Sequence, residues 1–294
     1  MTQNKSLYLS GLFLFNIIAW GLAWPISKLG LMYLTPLWFV TLRLAIGTLL
    51  MAVLALWCNK LTFPSRRDWP LILTIGLLQV GLFVVFVNLG LLYVPAGRAA
   101  LFAYVTPLWV IPLSIFFFKE QPKLLHWVGL VFSIVGLLLL ISPWEINWSN
   151  QQTLFGILML LLASLAWALS VLCARHMHWH RSPTELVPWQ LLIGTLPVLA
   201  LAILKEPALH PTAMHWSPLL ILSLCYTGII VAGLSQLSGV IVSKEVSPIL
   251  SSLGTLAVPL ISITVSVLYM GEILTVTTMS AMGLILAGLF FTVL

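Results

Sequence analysis

Charge is what this sequence has least of. Only 7% of its 294 residues are charged, against roughly 25% in a soluble domain. So few charges leave too little to solvate a surface, which excludes a water-soluble monomer. Disorder needs low hydrophobicity and high charge, and 61% of these residues are hydrophobic. Acid is scarcer than base, with 7 Asp and Glu against 13 Lys and Arg. The single aspartate, Asp68, lies outside every long apolar run. Paired aspartates, GxSG and HExxH are all missing, which removes the catalytic sets of intramembrane enzymes. GxxxxGK[ST] is missing too, and no linker is longer than about a dozen residues, so an ATP-driven pump with its own nucleotide domain does not fit. Cysteine is sparse. Cys58, Cys173 and Cys225 fall in or beside apolar runs and read as packing residues rather than disulfide partners. No small-x-small site follows the first apolar run, so the N-terminus is expected to be a span and not a cleaved signal. The net charge of +6 reflects basic loops and not nucleic-acid binding.

What the sequence has is long apolar stretches. A membrane helix needs about 20 apolar residues. The chain divides into Leu7–Lys28, Pro36–Trp57, Trp69–Tyr93, Ala96–Phe118, Leu124–Ile141, Leu154–His176, Thr184–Leu204, Trp216–Val242, Pro248–Met270 and Leu274–Leu294. Breakers such as Thr35-Pro36, Phe63-Pro64-Ser65, Gln121-Pro122 and Ser142-Pro143 separate them. The runs are continuous, not alternating, which argues against a β-barrel. With the N-terminus inside, the inner segments carry Lys5, Lys60, Arg66, Arg67, Lys119, Lys123, Arg175, Arg181 and Lys244. The outer ones carry only Lys28, Arg98 and Lys205. This bias puts both termini in the cytoplasm. Trp57, Trp69, Trp127, Trp144 and Trp216 are placed as interface anchors.

Shifted by 147, half its length, the chain matches itself. Ala19-Trp20 falls on Ala166-Trp167, Pro36 on Pro183, Ile46-Gly47-Thr48-Leu49 on Ile193-Gly194-Thr195-Leu196, Trp69 on Trp216 and Gly81 on Gly228. After a five-residue slip, Pro107 matches Pro259, Glu120 matches Glu272 and Gly136 matches Gly288. Five spans per half is an odd number, so the second half enters from the opposite side. The expected fold is an all-α membrane protein of ten transmembrane helices, built as two inverted five-helix repeats over residues 1–147 and 148–294. Inverted repeats suit alternating access around a midplane site at the interface of the halves.

At these residues the chain resembles the EamA family of the drug/metabolite transporter superfamily. The likeness lies in the five-plus-five inverted repeats and in the proline, glutamate and glycine that close each half. It covers essentially the whole chain. Relatives export amino acids, other metabolites or drugs, and ten-helix aromatic amino-acid exporters of the YddG type are the nearest functional comparison. The resemblance implies a central cavity lined by the first, third, fourth, sixth, eighth and ninth helices. It also implies a bacterial inner membrane, in keeping with the lack of a retention or transit signal.

The candidate substrate-binding residues are Trp20, Arg43, Gln79, Phe83, Phe102, Tyr104, Trp167, Tyr226, Ser251 and Thr255. Gln79, Phe83 and Phe86 share a helix face. Ser251, Thr255, Ser262 and Ser266 form a hydroxyl stripe that either faces substrate or permits close helix approach. Trp20 and Trp167 are repeat-related and expected to face one another. Aromatic rings with Gln suit a substrate with a flat apolar part and a polar head; helix packing and lipid contact are the other uses of such rings. Arg43 either anchors a substrate carboxylate or is a structural arginine, bonded to nearby carbonyls or snorkelling outward, and its repeat partner is Gln190. Pro107 and Pro259 are candidate hinges or static kinks. Glu120, Glu185 and Glu272 read as helix caps. The first span has no acid, which weighs against proton exchange by the route of the small four-helix multidrug relatives. Gly283-x-x-x-Ala287, Gly228-x-x-x-Ala232 and Ser164-x-x-x-Ala168 read as close-packing patterns. His176, His178 and His180 alternate in a loop, with no Cys or acid to complete a metal shell. No cofactor or metal is expected.

The expected function is a secondary transporter, not an enzyme. It would export small amphiphilic metabolites, most simply aromatic or large neutral amino acids. Export of drugs or amines, a passive channel and an intramembrane enzyme are the competing readings. The partners are the substrate and the lipid bilayer, and a fused pair of halves needs no second subunit.

Overall fold

The computed structural model describes residues 3–119, 121, 123–141, 150–206, 216–245 and 257–293, and all its regular elements are helices. Eight are long and apolar enough to cross a membrane. They are α1 (Leu7–Gly30), α2 (Pro36–Trp57), α3 (Trp69–Leu91), α4 (Ala96–Phe117), α5 (Leu124–Ile141), α6 (Gln151–His176), α7 (Pro183–Lys205) and α8 (Pro218–Val242). Two shorter apolar helices follow, α9 (Ala257–Met270) and α10 (Val276–Phe291). Large apolar side chains stand exposed along the flanks, such as Leu49, Val53 and Leu56 on α2. In water such faces would aggregate; in lipid they are solvated.

Helix starts are written locally where the sequence supplies a cap. Pro36, Pro183 and Pro218 occupy first-turn positions of α2, α7 and α8, where a missing N–H costs nothing. Ser217 Oγ accepts from Leu220 N at 3.1 Å. At α7, Glu185 Oε1 accepts from Ser182 Oγ at 2.7 Å and from its backbone N–H at 3.4 Å. Two starts are capped from far along the chain instead. Glu206 takes the N–H groups of Leu37 and Trp38 at 3.1 and 3.2 Å, and Trp38 Nε1 donates to the Glu206 carbonyl at 2.8 Å. Glu272 takes those of Ala96 and Gly97 at 2.6 and 3.0 Å. Glu272 is therefore a cap as expected from its type, but it caps α4 and not the helix that follows it. Glu120 lies outside the described residues.

Three features depart from the simple picture of straight spans. α3 is π-helical over Ile75–Leu82 and α8 over Tyr226–Ser235, a geometry rare enough to mark functional stretches. α4 is interrupted between Ala103 and Pro107, so it consists of two helices, Ala96–Ala103 and Pro107–Phe118. Pro107 opens the second of these in the first turn, where its missing N–H has no acceptor to lose, so it does not kink a continuous helix. Pro259 is the third residue of the described helix Ala257–Met270 and is buried.

Glycines set the closest approaches. A Cβ on Gly194 of α7 would lie 2.6 Å from the Gly76 carbonyl and from Val80 Cγ1 of α3. A Cβ on Gly47 of α2 would lie 2.9 Å from Ala232 Cβ and 3.1 Å from the Gly228 carbonyl of α8. Between them α2 meets α7, with Thr48 and Thr195 hydroxyls 3.3 Å apart. Of the small-residue patterns, Gly228-x-x-x-Ala232 makes such a contact. Gly283-x-x-x-Ala287 does not, since a Cβ on Gly283 meets nothing within 4 Å. Gly288 holds the α5–α10 contact instead, its Cβ position 2.7 Å from the Gly129 carbonyl.

At the loop between α2 and α3, Asp68 is buried and accepts from Ser65 N and Oγ at 2.8 and 2.6 Å. Arg181 Nε pairs with it at 3.0 Å, and Trp189 Nε1 donates to the Thr62 carbonyl at 3.1 Å. Burial acts to raise the Asp68 carboxyl, but the Ser65 bonds and the charges of Arg181 and His180 outweigh it and hold it below its usual range. A carboxyl lowered in the folded state stabilises above its unfolded value of about 3.9. That stability is lost as pH falls through the lower folded value. Asp68→Asn is expected to cost about 1–3 kcal/mol at neutral pH and to flatten the fall in melting temperature between about pH 5 and pH 3. Identical acid profiles for the two proteins in detergent would contradict this.

Candidate functional site

The middle of the bundle is filled by rings from α1, α3 and α6. Trp20 and Trp167 meet edge to face, with centroids 6.2 Å apart and planes at 83°. Phe83 tilts against Trp167 at 4.9 Å. All three are half-buried. T-shaped contact is favoured because the positive edge of one ring meets the negative face of the other. Polar groups border these rings. Gln79, one turn from Phe83, accepts at Oε1 from Ser170 Oγ at 3.4 Å. Tyr226, the first residue of the π-helical stretch of α8, donates from its hydroxyl to the Ala19 carbonyl at 3.2 Å. Trp20, Gln79, Phe83, Trp167 and Tyr226 thus belong to one region joined by direct contacts or by neighbouring turns.

The remaining candidates are placed differently. Phe102 is 2% exposed and packs in the apolar core with Leu101 and Val105. Tyr104 lies at the interruption of α4, half-buried against the same core. Ser251 and Thr255 lie outside the described residues. From the same stripe, Ser262 Oγ reaches the Ala96 carbonyl at 3.5 Å and Ser266 is fully buried, so this part of the stripe serves close approach of α9 to α4. Arg43 is 6% exposed. Its guanidinium bonds Ser27 Oγ at 3.4 Å, and its Nε has no partner among the described residues. Its repeat partner Gln190 is fully buried, with neither side-chain polar atom bonded among the described residues.

Sequence reasoning misses Asn16. It is 3% exposed on α1, one turn before Trp20. Its Oδ1 accepts from Ser235 Oγ at 2.6 Å and Ser238 Oγ at 2.9 Å, both on α8. The signal that could find it is an amide near the middle of an apolar run, where polar groups are costly and carry function. A separate cavity of about 280 Å³ opens where α4 meets α9, lined by Gly97, Arg98, Ile263, Val267, Glu272 and Thr278. None of the ring cluster lines it. Among the described residues no three His, Cys, Asp or Glu side chains converge on a metal position; the His178 and His180 rings lie 6.3 Å apart, and His176 Nδ1 is 2.8 Å from the Leu172 carbonyl. The arrangement offers flat apolar faces with neutral donors and acceptors.

Known proteins share both the sequence pattern and the fold. The model of the EamA-like transporter family matches twice, over residues 9–142 and 154–294. The chain is similar to the uncharacterized transporter YvbV of Bacillus subtilis, at 28% identity over 94% of this chain and 88% of that one. It is also similar to a "Probable amino-acid metabolite efflux pump" of Salmonella typhimurium, at 29% identity over 94% and 92% of the two chains. A solved crystal structure, 21% identical, superposes with a TM-score of 0.65 over 96% of this chain and 98% of its own, and so shares the fold.

Proposed function

Because this chain belongs to the EamA-like transporter family, and is a multi-pass membrane transporter and not an enzyme, we propose that it exports small amphiphilic metabolites, aromatic or large neutral amino acids first among them. The observation that carries this reading is the Trp20–Trp167–Phe83 cluster bordered by Gln79 and Tyr226. Rings of this kind offer stacking area to an aromatic or large apolar side chain, and the neutral polar groups offer hydrogen bonds to its head. The efflux relative from Salmonella lends weight to an amino-acid substrate.

The working architecture is ten transmembrane helices in two inverted repeats, residues 1–147 and 148–294, with both termini cytoplasmic in a bacterial inner membrane. The double match of the family model favours the repeat. So do the paired contacts, in which Gly47 of α2 meets Gly228 of α8 while Gly194 of α7 meets Gly81, the repeat partner of Gly228, on α3. Each half would adopt the other's conformation in turn, exposing the ring cluster to one side and then the other. Pro107 and Pro259, at corresponding positions of α4 and α9, are the proposed hinges. A monomer suffices for this cycle. The nine-to-three distribution of basic residues supports the orientation.

The test is efflux of radiolabelled amino acids from proteoliposomes of the purified protein. Phenylalanine and tryptophan should leave faster than from empty liposomes. Trp167→Ala and Gln79→Ala should each cut the rate by about tenfold or more, the equivalent of losing roughly 1.4 kcal/mol of differential binding. If no amino acid moves, the amino-acid reading is wrong and amines and drugs become the substrates to try.

A further inference from the structure

Asn16 stands near the middle of a 24-residue apolar helix, with roughly 21 Å of helix between it and Gly30. A primary amide there is costly unless its groups are used. Half of it is used by the fold. Oδ1 takes the hydroxyl protons of Ser235 and Ser238, and this stitches α1 to the π-helical stretch of α8 and the turn beyond it. As the amide is placed, both hydroxyls reach Oδ1, and Ser238 Oγ also lies 3.3 Å from the Ser235 carbonyl, so its one proton is shared between two acceptors. The nitrogen is then turned away from α8 with two hydrogens to give. It donates to no protein group among the described residues.

The surroundings say what those hydrogens can meet. Asn16 and Trp20 are four residues apart and share a face of α1. Both border Gly239 of α8. A Cβ there would sit 3.3 Å from the Trp20 ring and 4.0 Å from Asn16 Oδ1, so the missing side chain lets α8 pack closely against both. Among the described residues no arginine or lysine is bonded to this cluster; Arg43 is turned to Ser27. A ligand whose ring lies against Trp20 and Trp167 would bring a group one or two bonds from that ring toward the Asn16 amide. Two N–H donors with no competing acceptor match a carboxylate oxygen.

We infer that Asn16 is a substrate-recognition residue, its Nδ2 donating to the carboxylate of an aromatic amino acid while Ser235 and Ser238 hold Oδ1. This rests on the exporter reading above and adds the group that selects acids over amines. Asn16→Asp keeps an oxygen for the two serines and puts a second, charged oxygen where the donors were. Asn16→Leu, of similar size and neutral, removes the donors without adding charge, and removes the acceptor of Ser235 and Ser238 with them.

The experiment measures efflux of L-tryptophan and of tryptamine, the same ring system without the carboxylate, from proteoliposomes of wild type and both variants. Each variant is first shown to be monodisperse in detergent. Wild type should favour the acid. Asn16→Asp should lose tryptophan transport at least tenfold while tryptamine transport holds or rises. Asn16→Leu, which also loses the tie to Ser235 and Ser238, should slow both probes but raise the KM for tryptophan severalfold more than that for tryptamine. If both probes fall by the same factor, Asn16 is a structural tie between α1 and α8 and the inference is overturned. It is equally overturned if all three proteins move tryptophan equally well. Wild type moving neither probe would overturn the amino-acid reading itself, and the role of Asn16 with it.

Discussion

Gly194→Ala is expected to lower the melting temperature of the protein by several degrees. One methyl group is added where the Gly76 carbonyl and Val80 Cγ1 both stand 2.6 Å away. The carbonyl belongs to backbone inside the π-helical stretch of α3, so no side-chain rotation can make room. α3 and α7 must part. Over-packing of this sort costs about 1–3 kcal/mol, more than the roughly 1 kcal/mol an alanine returns in helix propensity. Gly47→Ala should behave alike but more mildly, its nearest neighbour being the Ala232 methyl at 2.9 Å. Gly11→Ala and Gly283→Ala are the controls, because a Cβ at either meets nothing within 4 Å. They should leave stability unchanged or slightly raised. The measurement is thermal unfolding in detergent followed by size-exclusion chromatography, and a Gly194→Ala protein as stable as the Gly283→Ala protein would refute the argument.

The second large effect is expected at Glu272. Its carboxylate bonds two backbone N–H groups at the start of α4, groups that a helix start leaves without partners. Lys28, bonded to the Leu91 and Val94 carbonyls, adds a charge on the same side. Glu272→Ala strips both N–H groups and leaves Lys28 without its carboxylate. Caps of this kind are worth about 0.5–2 kcal/mol, and the charged acceptor places this one toward the upper end. Glu272 is half-buried, so part of the charge effect is screened by solvent. Glu272→Gln retains one carbonyl oxygen and should recover more than half of the loss. Glu206→Ala should show a comparable drop through Leu37 and Trp38. Equal stability of Glu272→Ala and wild type would show that water caps α4 just as well.

The spans are legible in the sequence because a bilayer imposes a length on apolar runs that no other environment demands. α2, α3 and α5 carry nearly the boundaries that hydropathy gives. The meeting of Trp20 with Trp167 is legible too, through the internal match of the two halves. Other features are hidden for physical reasons. A π-helical stretch leaves the apolar pattern of a fully apolar helix unchanged, so Ile75–Leu82 and Tyr226–Ser235 give no periodic signal. The sequence does hold glycines five apart in each, Gly76 with Gly81 and Gly228 with Gly233, a spacing that suits π-helical turns. Phe102 lies buried in the core, a placement the sequence does not distinguish, because a ring buried in a core and a ring lining a cavity are the same residue type at the same helical spacing. Gly283 has the spacing of a contact residue and Gly288 makes the contact, since spacing alone does not say which helix face has a neighbour. Asn16 escapes because its partners lie about 220 residues away, and hydroxyls of apolar helices are usually bonded to their own backbone, as Thr41 and Thr227 are.

The carboxylates that cap α2 and α4 also impose an order on synthesis. Ala96 receives its acceptor from a residue 176 positions later in the chain, and Leu37 from one 169 positions later. At about 5–20 residues per second, a ribosome needs on the order of ten to thirty seconds to deliver Glu272 after Ala96 has emerged. During that interval the start of α4 must borrow water or lipid headgroups as acceptors. α2 and α4 are thus inserted early but finished late, and a nascent chain stalled before Glu272 should be cut by protease near residues 94–97 far faster than the completed protein.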